Sequence, residues 1–466
     1  MAIELQMNEN TSGKEEKIIT LVVTTLSSFI TPFMASALNI ALPSIASQFN
    51  MNAILLSWVA TSYLLSTAVL LVPLGKIADI FGRKKIFLLG ISIFTLSTIG
   101  CAVAVSSFFL IFSRIIQGIG SAMIFGTAIA ILTSVYPPGE RGKALGINIA
   151  TTYTGLSIGP FLGGVLTENF GWRSIFISTV PLGIIIFVLV LFRLKGEWAE
   201  AKGESFDFTG SLIFILMYIC LMFGFTLLPS FSGILIVLSG LAGLFIFVKW
   251  ESRIAYPVFN ILLFRKNTVF AFSNIAALIN YSATSAIAFL LSLYLQYVKG
   301  LTPQSAGFVL VSQPVVMALV SPFAGRLSDR IEPRILASLG MGIIVLGLLL
   351  LFLIGSSTPV SFISFALVLL GLGFGLFSSP NTNAIMSSVE KRFYGIASAT
   401  LATMRLSGQM LSMAISIMAF SVLIGNVHIN PSNFELFIYS IKILFAVFAA
   451  LCFAGVFASL ARGKMR

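Results

Sequence analysis

Fourteen apolar stretches, each long enough to cross a lipid bilayer, follow one another along this chain with short polar breaks between them. A helix that spans a membrane needs about 20 consecutive apolar residues. Only 9% of the 466 residues are charged and 58% are hydrophobic, so the chain cannot cover its surface with polar groups as a soluble protein does. The sequence therefore predicts an all-α polytopic membrane protein with 14 transmembrane helices, surrounded by membrane lipid.

The apolar stretches fall into three groups. Six lie between Ile18 and Phe192, and two more, at about 208–229 and 233–250, follow a charged segment. A second charged segment, 251–266, separates this pair from the last six. We therefore divide the chain into an N-terminal six-helix bundle (residues 1–193), cytoplasmic segments with two inserted transmembrane helices (194–266), and a C-terminal six-helix bundle (267–466).

The basic residues are distributed unequally between the two sides of the membrane. If the loops alternate, one side holds 23 of the 28 Lys and Arg, whereas the loops of the other side hold Arg173 and Lys299. Cytoplasmic loops of membrane proteins carry this excess of positive charge. We therefore expect a multi-pass protein of the cell (cytoplasmic) membrane with both termini in the cytoplasm. The same asymmetry accounts for the net charge of +12, so no nucleic-acid partner is predicted.

A short motif occurs twice, at an offset of 250 residues, each time between two apolar stretches. Its members are Gly75, Asp79, Gly82 and Arg83 in the first copy and Gly325, Asp329 and Arg330 in the second. Glycine permits a tight turn and the close approach of helices. Basic residues alone would serve to orient the chain, but orientation needs neither the aspartate nor the glycine. We therefore predict a conformational switch in a duplicated membrane transporter.

Two arginines lie inside predicted helices. Arg114 is followed by Gln117 and Gly118 in the fourth helix, and Arg405 lies about ten residues into the thirteenth, near the middle of the membrane. An arginine at such a depth is costly and usually faces a cavity or a partner. The alternative for Arg114 is that its side chain extends to the outer interface of the membrane.

The fifth predicted helix carries a stripe of glycines. Gly155, Gly159 and Gly163 recur at every fourth position, with Pro160 and Gly164 beside them. Such spacing leaves one bare face on which another helix can pack closely. We therefore predict that these five residues serve helix packing.

The order of helices and these motifs together resemble the major facilitator superfamily, from about residue 18 to residue 461. The two central helices make the chain similar to the fourteen-helix branch of drug:proton antiporters, and the glycine stripe resembles a motif of exporters. The resemblance implies two bundles around a central cavity that work by alternating access. It also implies that Asp79 pairs with the other bundle when the cytoplasmic side is shut, although Ile80 stands where the family usually has a basic residue.

The first helix departs from the family pattern. Met34 stands where the family normally has an aspartate that is implicated in proton or cation coupling. None of the 16 acidic residues is expected near the middle of the membrane. We therefore predict a substrate that is neutral, zwitterionic or anionic. No cofactor is predicted, and the energy is expected from an ion gradient, with protons as one candidate.

The candidates for the transport path are polar or aromatic residues in apolar helices. We predict that the path includes Asn39, Arg114, Gln117, Tyr153, Gln313 and Arg405. A wider set consists of Tyr63, Asn274, Asn280, Tyr281, Asn381, Asn383 and Gln409. Each of these side chains could equally well join two helices by a hydrogen bond.

The sequence thus predicts a secondary active transporter that exports small amphipathic, drug-like molecules by alternating access and that functions as a monomer. One alternative is an uncoupled facilitator or uniporter for a neutral or anionic solute. Another is a non-transporting sensor or assembly partner. An enzyme is not predicted, because no nucleophile with a neighbouring base is apparent and the single histidine, His428, cannot form a metal cluster by itself.

Overall fold

The computed structural model describes residues 2–259, 261–328, 330–390, 394–425, 429 and 431–463. Within these ranges the regular structure is helical and contains no strand. Fourteen helices are long and apolar enough to cross a membrane, which confirms the prediction of an all-α polytopic membrane protein.

The first six spans precede the charged connector. Asn52 Oδ1 accepts the N–H of Leu55 (2.7 Å) and Ser106 Oγ accepts the N–H of Phe109 (3.2 Å), so that two of these helices begin at a capping side chain. Such caps satisfy donors that the first turn of a helix leaves open. The six helices are α1 (Ala2–Phe49), α2 (Ala53–Phe81), α3 (Arg83–Ala102), α4 (Ser107–Val135), α5 (Pro138–Phe170) and α6 (Arg173–Phe192).

The inserted pair consists of α7 (Phe208–Thr226) and α8 (Phe231–Glu251), which pack against each other. Asp207 caps α7 by accepting the N–H of Gly210 (2.8 Å). The helix α7 also contacts α2 of the first half and α16 of the second, so the pair lies against both halves of the protein.

The second half contains helices that are broken where the first half has continuous ones. The two helices α10 and α11 form one span together with a π-helical turn at Tyr294–Val298, and α12 and α13 form another. The N–H of Ala286, just after the break, donates to Ser412 Oγ (3.0 Å), so the interrupted backbone keeps a partner. The helices are α9 (Ile261–Lys266), α10 (Thr268–Thr284), α11 (Ile287–Leu293), α12 (Pro303–Leu310), α13 (Ser312–Ser328), α14 (Pro333–Phe352), α15 (Val360–Ser387), α16 (Tyr394–Leu423) and α17 (Phe434–Ala461).

The packing of the first half is repeated in the second. The pairs α1–α5, α2–α4, α3–α4 and α3–α6 correspond to α10–α16, α13–α15, α14–α15 and α14–α17. Glycines make the same close approach in both: a Cβ on Gly90 would lie 3.0 Å from the carbonyl oxygen of Gly120, and one on Gly340 would lie 2.6 Å from that of Gly373. The two halves meet where α2 packs on α16, and α7 contacts both of these helices.

The ends of the helices define two faces of the protein. Fourteen spans are an even number, so both ends of the chain reach the same face. Ion pairs of Lys17 with Glu140 (2.8 Å) and of Arg193 with Glu15 (2.9 Å) join helix ends there. We call it the basic face, because it includes the Lys- and Arg-rich segments 76–85, 193–207 and 249–266, and we call the other the opposite face.

The turn between α2 and α3 is shorter than the sequence predicts. Gly75 lies inside α2, where it does not turn the chain but faces Gly126 of α4, whose added Cβ would lie 3.3 Å from the Gly75 Cα. The helix continues to Phe81 because no glycine or proline interrupts residues 76–81. Gly82 alone makes the turn, with φ of +120°, a value that other residues rarely adopt.

Candidate functional site: a cavity between the two halves

A cavity of about 220 Å³ lies between the two halves of the protein. Its walls come from α1, α2, α4 and α5 in the first half and from α10, α11, α12, α13, α15 and α16 in the second. A movement of one half against the other would therefore change its shape. The polar, charged and aromatic residues that line it are Ser36, Asn39, Tyr63, Arg114, Tyr153, Tyr281, Thr284, Ser285, Phe289, Gln313, Phe374, Arg405 and Gln409.

Arg114 is at the end of the cavity nearer the opposite face and is only 1% exposed. Its Nε donates to the carbonyl oxygen of Val59 (3.0 Å), its Nη1 donates to Gln117 Oε1, and its guanidinium lies 4.3 Å from the centre of the Tyr63 ring. Gln117 Nε2 in turn donates to Thr98 Oγ1 (2.7 Å). These neutral acceptors fix the guanidinium and tie α4 to α2 and α3, so Arg114 has a structural as well as a lining role.

Arg405 is at the other end of the cavity, because α16 begins at the basic face and Arg405 is the first of its residues to line the wall. Its guanidinium lies over the ring of Tyr281, 5.1 Å from the centre. Within the described residues this side chain has no hydrogen bond and no ion pair. A guanidinium carries five N–H donors, so Arg405 can donate hydrogen bonds to a molecule in the cavity.

The charge of the cavity is therefore positive. Two guanidinium groups and no carboxylate are found among its lining residues in the described part of the chain. Like charges repel strongly where water is scarce, at roughly 4 kcal/mol for a separation of 4 Å and an effective dielectric constant of 20. The arrangement favours a neutral or negatively charged occupant over a permanent cation.

The position that carries an aspartate in the family holds an apolar side chain here. Met34 is 0% exposed, belongs to the apolar core and does not line the cavity. A carboxylate at this position would have to be buried in that core. Met34 has no titratable group, so a coupling proton cannot bind at this position.

The structure brings most of the predicted transport-path residues together. Asn39, Arg114, Tyr153, Gln313 and Arg405 line the cavity, whereas Gln117 lies behind Arg114 and holds it. In the wider set, Tyr63, Tyr281 and Gln409 line the cavity too. The lining does not include Asn274, Asn280, Asn381 or Asn383.

Contacts between the halves close the cavity toward the opposite face. Gln296 Nε2 of the second half donates to the carbonyl oxygen of Ile40 (2.9 Å), and the backbone N–H of Gln304 donates to Glu168 Oε2 (3.0 Å). Nearer the basic face, the hydroxyls of Tyr153 and Ser378 are 2.9 Å apart. The Glu168 carboxylate thus serves an interface between the halves and is not directed into the cavity.

The glycines of α5 have two different neighbours. Gly155, Gly159 and Gly163 face α1, where a Cβ on Gly159 would lie 2.7 Å from Ser36 Cβ. Gly164 faces the other half, since a Cβ there would lie 2.5 Å from the carbonyl oxygen of Pro303. The carbonyl oxygen of Pro160 is approached in the same way by Gly307 of α12, at 2.1 Å from an added Cβ. Small residues therefore allow both the packing inside the first half and the contact between halves.

The first copy of the repeated motif is centred on Arg83, which is 7% exposed. Its Nε donates to Asp79 Oδ1 (2.7 Å), and its Nη1 donates to Glu200 Oε1 (2.8 Å) and to Ser134 Oγ (2.8 Å). Glu200 belongs to the connector between α6 and α7. Asp79 is therefore paired within the first half, through a residue of its own motif.

The connector makes further bonds to the same motif. Lys76 Nζ pairs with Glu204 Oε2 (2.6 Å), and the backbone N–H of Lys84 donates to Glu197 Oε1 (2.8 Å). The backbone N–H of Arg83 donates to the carbonyl oxygen of Trp198 (2.9 Å). The predicted contact of Asp79 with the other half belongs to a state in which the basic face is shut, and it stays a prediction.

The second copy of the motif is less fully described. Gly325 lies in α13, and a Cβ there would be 2.7 Å from Ser379 Oγ of α15. The side chain of Arg330 is exposed, and its backbone N–H donates to the carbonyl oxygen of Leu327 (3.0 Å). Asp329 lies outside the described residues.

Sequence reasoning missed two buried charged residues. Arg462 is 0% exposed, and its guanidinium donates to the carbonyl oxygen of Ser459 (2.8 Å) and to Ser273 Oγ (3.2 Å). Burial lowers the pKa of Arg462 to about 10. Glu251, at the end of α8, is 3% exposed. Both fall in charged segments that the sequence assigns to solvent, and no local pattern distinguishes them from their exposed neighbours.

We expect Asp79→Asn to reduce transport while leaving insertion into the membrane intact. The side chain of Asp79 is 37% exposed, and an ion pair at such a site contributes about 0–1 kcal/mol to folding. Expression and thermal stability of the variant should therefore be close to those of the parent. Transport in proteoliposomes measures the effect on function. A normal rate in this variant would leave the motif with only a role in orienting the chain.

Comparison with known proteins extends these observations. The family described as Major Facilitator Superfamily matches residues 24–413 and 274–463. The riboflavin transporter RibZ of Clostridioides difficile (strain 630) is 33% identical over 399 residues, which cover 84% of this chain and 85% of RibZ. The multidrug resistance protein Stp of Mycobacterium tuberculosis (strain CDC 1551 / Oshkosh) is 31% identical over 405 residues, 86% of this chain and 75% of Stp.

Two more distant proteins are also similar. The tetracenomycin C resistance and export protein of Streptomyces glaucescens is 28% identical over 363 residues, 77% of this chain and 67% of that protein. Among solved structures, a bacterial homolog to the human lysosomal transporter Spinster, in an inward-facing and occupied conformation, matches with a TM-score of 0.64. The match covers 95% of this chain and 96% of the other at 18% identity, so it supports the fold alone.

Proposed function

This chain belongs to the major facilitator superfamily, and we propose that it exports small amphipathic molecules by secondary active transport, with its cavity open alternately to each face. The proposed substrates are neutral, zwitterionic or anionic. The observation that carries this proposal is the Arg405 guanidinium, which lines the cavity, lies over the Tyr281 ring and, within the described residues, has no hydrogen bond and no ion pair. A cation would have to approach this charge without a carboxylate to offset it.

The cavity walls also favour an aromatic substrate. The rings of Tyr281, Phe289 and Phe374 offer faces for stacking. The amide groups of Gln313 and Gln409 can donate and accept hydrogen bonds at the polar edge of such a molecule. The cavity is complete within one chain, which supports the monomer as the working unit.

The relatives suggest which compounds to test first. One is named as a riboflavin transporter, and others as proteins of multidrug resistance or of tetracenomycin C export. Riboflavin has a flat aromatic ring system and a polar chain and carries no permanent positive charge, so it fits the chemistry of these walls. We propose riboflavin and other uncharged aromatic compounds as candidate substrates of this chain.

The proposed direction is from the basic face to the opposite face, with the basic face in the cytoplasm. The excess of Lys and Arg at that face supports this orientation. Two relatives that are named for resistance or export support outward transport. Motif resemblance of the α5 glycines to exporters points the same way.

A second candidate function is uncoupled facilitated transport of a neutral or anionic solute. It is favoured by the buried Met34, which replaces the family's coupling carboxylate, and by the absence of a carboxylate from the described cavity lining. Accumulation of substrate against its gradient distinguishes the two functions. A facilitator equilibrates its substrate and is insensitive to a protonophore, whereas a proton-coupled exporter loses accumulation when a protonophore is added.

The test is transport in proteoliposomes with riboflavin, an anionic aromatic compound and a quaternary ammonium dye. We expect at least one of the first two to be transported and the dye to be excluded. Robust uptake of the dye by the unaltered protein would contradict the proposed substrate class. An aromatic cage would then hold the cation, and Arg405 would not exclude cations as proposed.

A further inference from the structure

Two carboxyl groups meet at the basic-face end of the inserted helices. Asp207 caps α7 and Glu251 ends α8, and Gly210 lies between them. A single Cβ on Gly210 would be 2.2 Å from Asp207 Oδ2 and 2.7 Å from Glu251 Oε1, so the two carboxyl groups are close neighbours. Trp250 Nε1 donates to Asp207 Oδ2 (3.0 Å), and Asp207 Oδ1 accepts the N–H of Gly210 (2.8 Å). Both oxygens of Asp207 therefore accept hydrogen bonds from donors of the protein.

Glu251 is in a different situation. Only 3% of the residue is exposed, and its Oε2 accepts the backbone N–H of Phe259 (3.0 Å). Its Oε1 is buried and has no hydrogen-bond partner among the described residues. Burial with one oxygen left without a partner disfavours the charged form of the carboxyl group. The nearby charge of Asp207 disfavours it further, because two close carboxylates cannot both ionise readily.

The charged groups of the surrounding elements do not neutralise Glu251 directly. Lys76 faces this end from α2, but its Nζ is paired with Glu204 Oε2 at 2.6 Å. Arg253, two residues beyond Glu251, is exposed, as are Arg265 and Lys266 of α9. The part of α16 that packs nearby contributes Thr403 and Met404, which are uncharged.

We propose that Asp207 and Glu251 form a proton-binding pair in which Glu251 holds the proton. The Glu251 carboxylate takes up this proton from water at the basic face, and the resulting neutral acid stays buried beside Asp207. This pair is distinct from the central cavity and does not depend on the identity of the transported molecule.

The bound proton stabilises the docking of the inserted pair on the second half. Glu251 holds Phe259, whose side chain lines an apolar cavity of about 240 Å³ together with Phe214, Phe247 and Met404. Loss of the proton places a second negative charge beside Asp207, and the Glu251 carboxylate then moves toward water. The Phe259 N–H binds a carboxylate more strongly than a neutral acid, so Phe259 moves with Glu251 and this apolar cavity opens. The docked arrangement is thus favoured at low pH and is lost as the pH rises.

Infrared difference spectroscopy of the purified protein in lipid vesicles tests the proton directly. Between about pH 5 and about pH 9, we expect the loss of one C=O band of a protonated carboxyl group. The band should be absent from Glu251→Gln, whose amide keeps the bond to Phe259 and so preserves the fold. It should persist in the control Glu204→Gln, because Glu204 pairs with Lys76 and is not part of the proposed pair. A parent protein without the band, or a Glu251→Gln variant that retains it, overturns the proposal.

Trp250 provides a second measurement at the same site. Its fluorescence, obtained by subtracting the signal of Trp250→Phe, should change with pH in the parent and should remain in its low-pH form in Glu251→Gln. Removal of the neighbouring charge in Asp207→Asn should lower the pH at which Glu251 loses its proton. The infrared band of Glu251 measures this pH midpoint and does not depend on the hydrogen bond from Trp250. An unchanged midpoint in Asp207→Asn would show that the two groups are not coupled and would overturn the pair.

Discussion

Arg405→Gln is expected to weaken the binding of an anionic substrate about tenfold to a hundredfold more than that of its neutral counterpart. A hydrogen bond to a charged group contributes about 1.5–3 kcal/mol, and 1.4 kcal/mol corresponds to a factor of ten in affinity. Within the described residues the Arg405 guanidinium lies over the Tyr281 ring and has no hydrogen bond and no ion pair, so its loss leaves no protein acceptor unsatisfied. The comparison uses two compounds that share one aromatic ring and differ by a phosphate group.

The control for this prediction is Arg405→Lys. Lysine keeps the charge but lacks the planar set of donors, so it should restore part of the preference for the anionic compound. Thermal stability separates a binding effect from a folding effect. If Arg405→Gln weakens the binding of both compounds equally, Arg405 acts through its packing on Tyr281 and does not interact with the charge of the substrate.

Much of the fold could be predicted because membrane helices follow simple physical rules. Lipid cannot satisfy backbone groups, so an apolar stretch of sufficient length must be helical. The fourteen spans were therefore predictable from hydropathy. The breaks at Ser285 and Val311 were not, because they depend on partners from other helices, such as the hydroxyl of Ser412 that bonds Ala286.

The site was predictable only where a polar residue is out of place. Arg114 and Arg405 attracted attention because charge is costly in a helix of the membrane, and both line the cavity. The asparagines of the second half met the same criterion, yet Asn280 is 0% exposed and does not reach the cavity. Whether a polar side chain points to a cavity or to a neighbouring helix depends on the rotation of the helix, which is set by packing over the whole bundle.

The motif near Asp79 shows another limit of sequence reasoning. The charges of the motif and its second copy are visible in the sequence, and they indicated that the aspartate has a partner. The connector residues Glu197, Glu200 and Glu204 looked like an ordinary solvated segment, but they bind the motif in the structure. Their spacing along the chain gives no sign of this, because the contact joins segments more than a hundred residues apart.

Closure of the opposite face is expected to fail in Gly307→Val, with transport reduced by at least about tenfold. A Cβ at Gly307 would lie 2.1 Å from the carbonyl oxygen of Pro160, and backbone atoms of the facing helix cannot move aside as a flexible side chain can. Overpacking of a tight contact costs about 1–3 kcal/mol or more, and here the two halves can relieve it by separating. Each half should therefore stay folded while the contact between α5 and α12 is lost.

The control for Gly307→Val is Gly342→Val in α14, where an added Cβ would meet nothing within 4 Å. Spin labels on Asn169 and Ser305, both exposed and next to the contact between Glu168 and Gln304, report the separation of the halves at the opposite face. Their distance distribution should shift to longer values in Gly307→Val and should match the parent in Gly342→Val. If Gly307→Val transports normally and its labels remain close, the contact between α5 and α12 is not required for closure, and the small residues there serve only to fit the helices together.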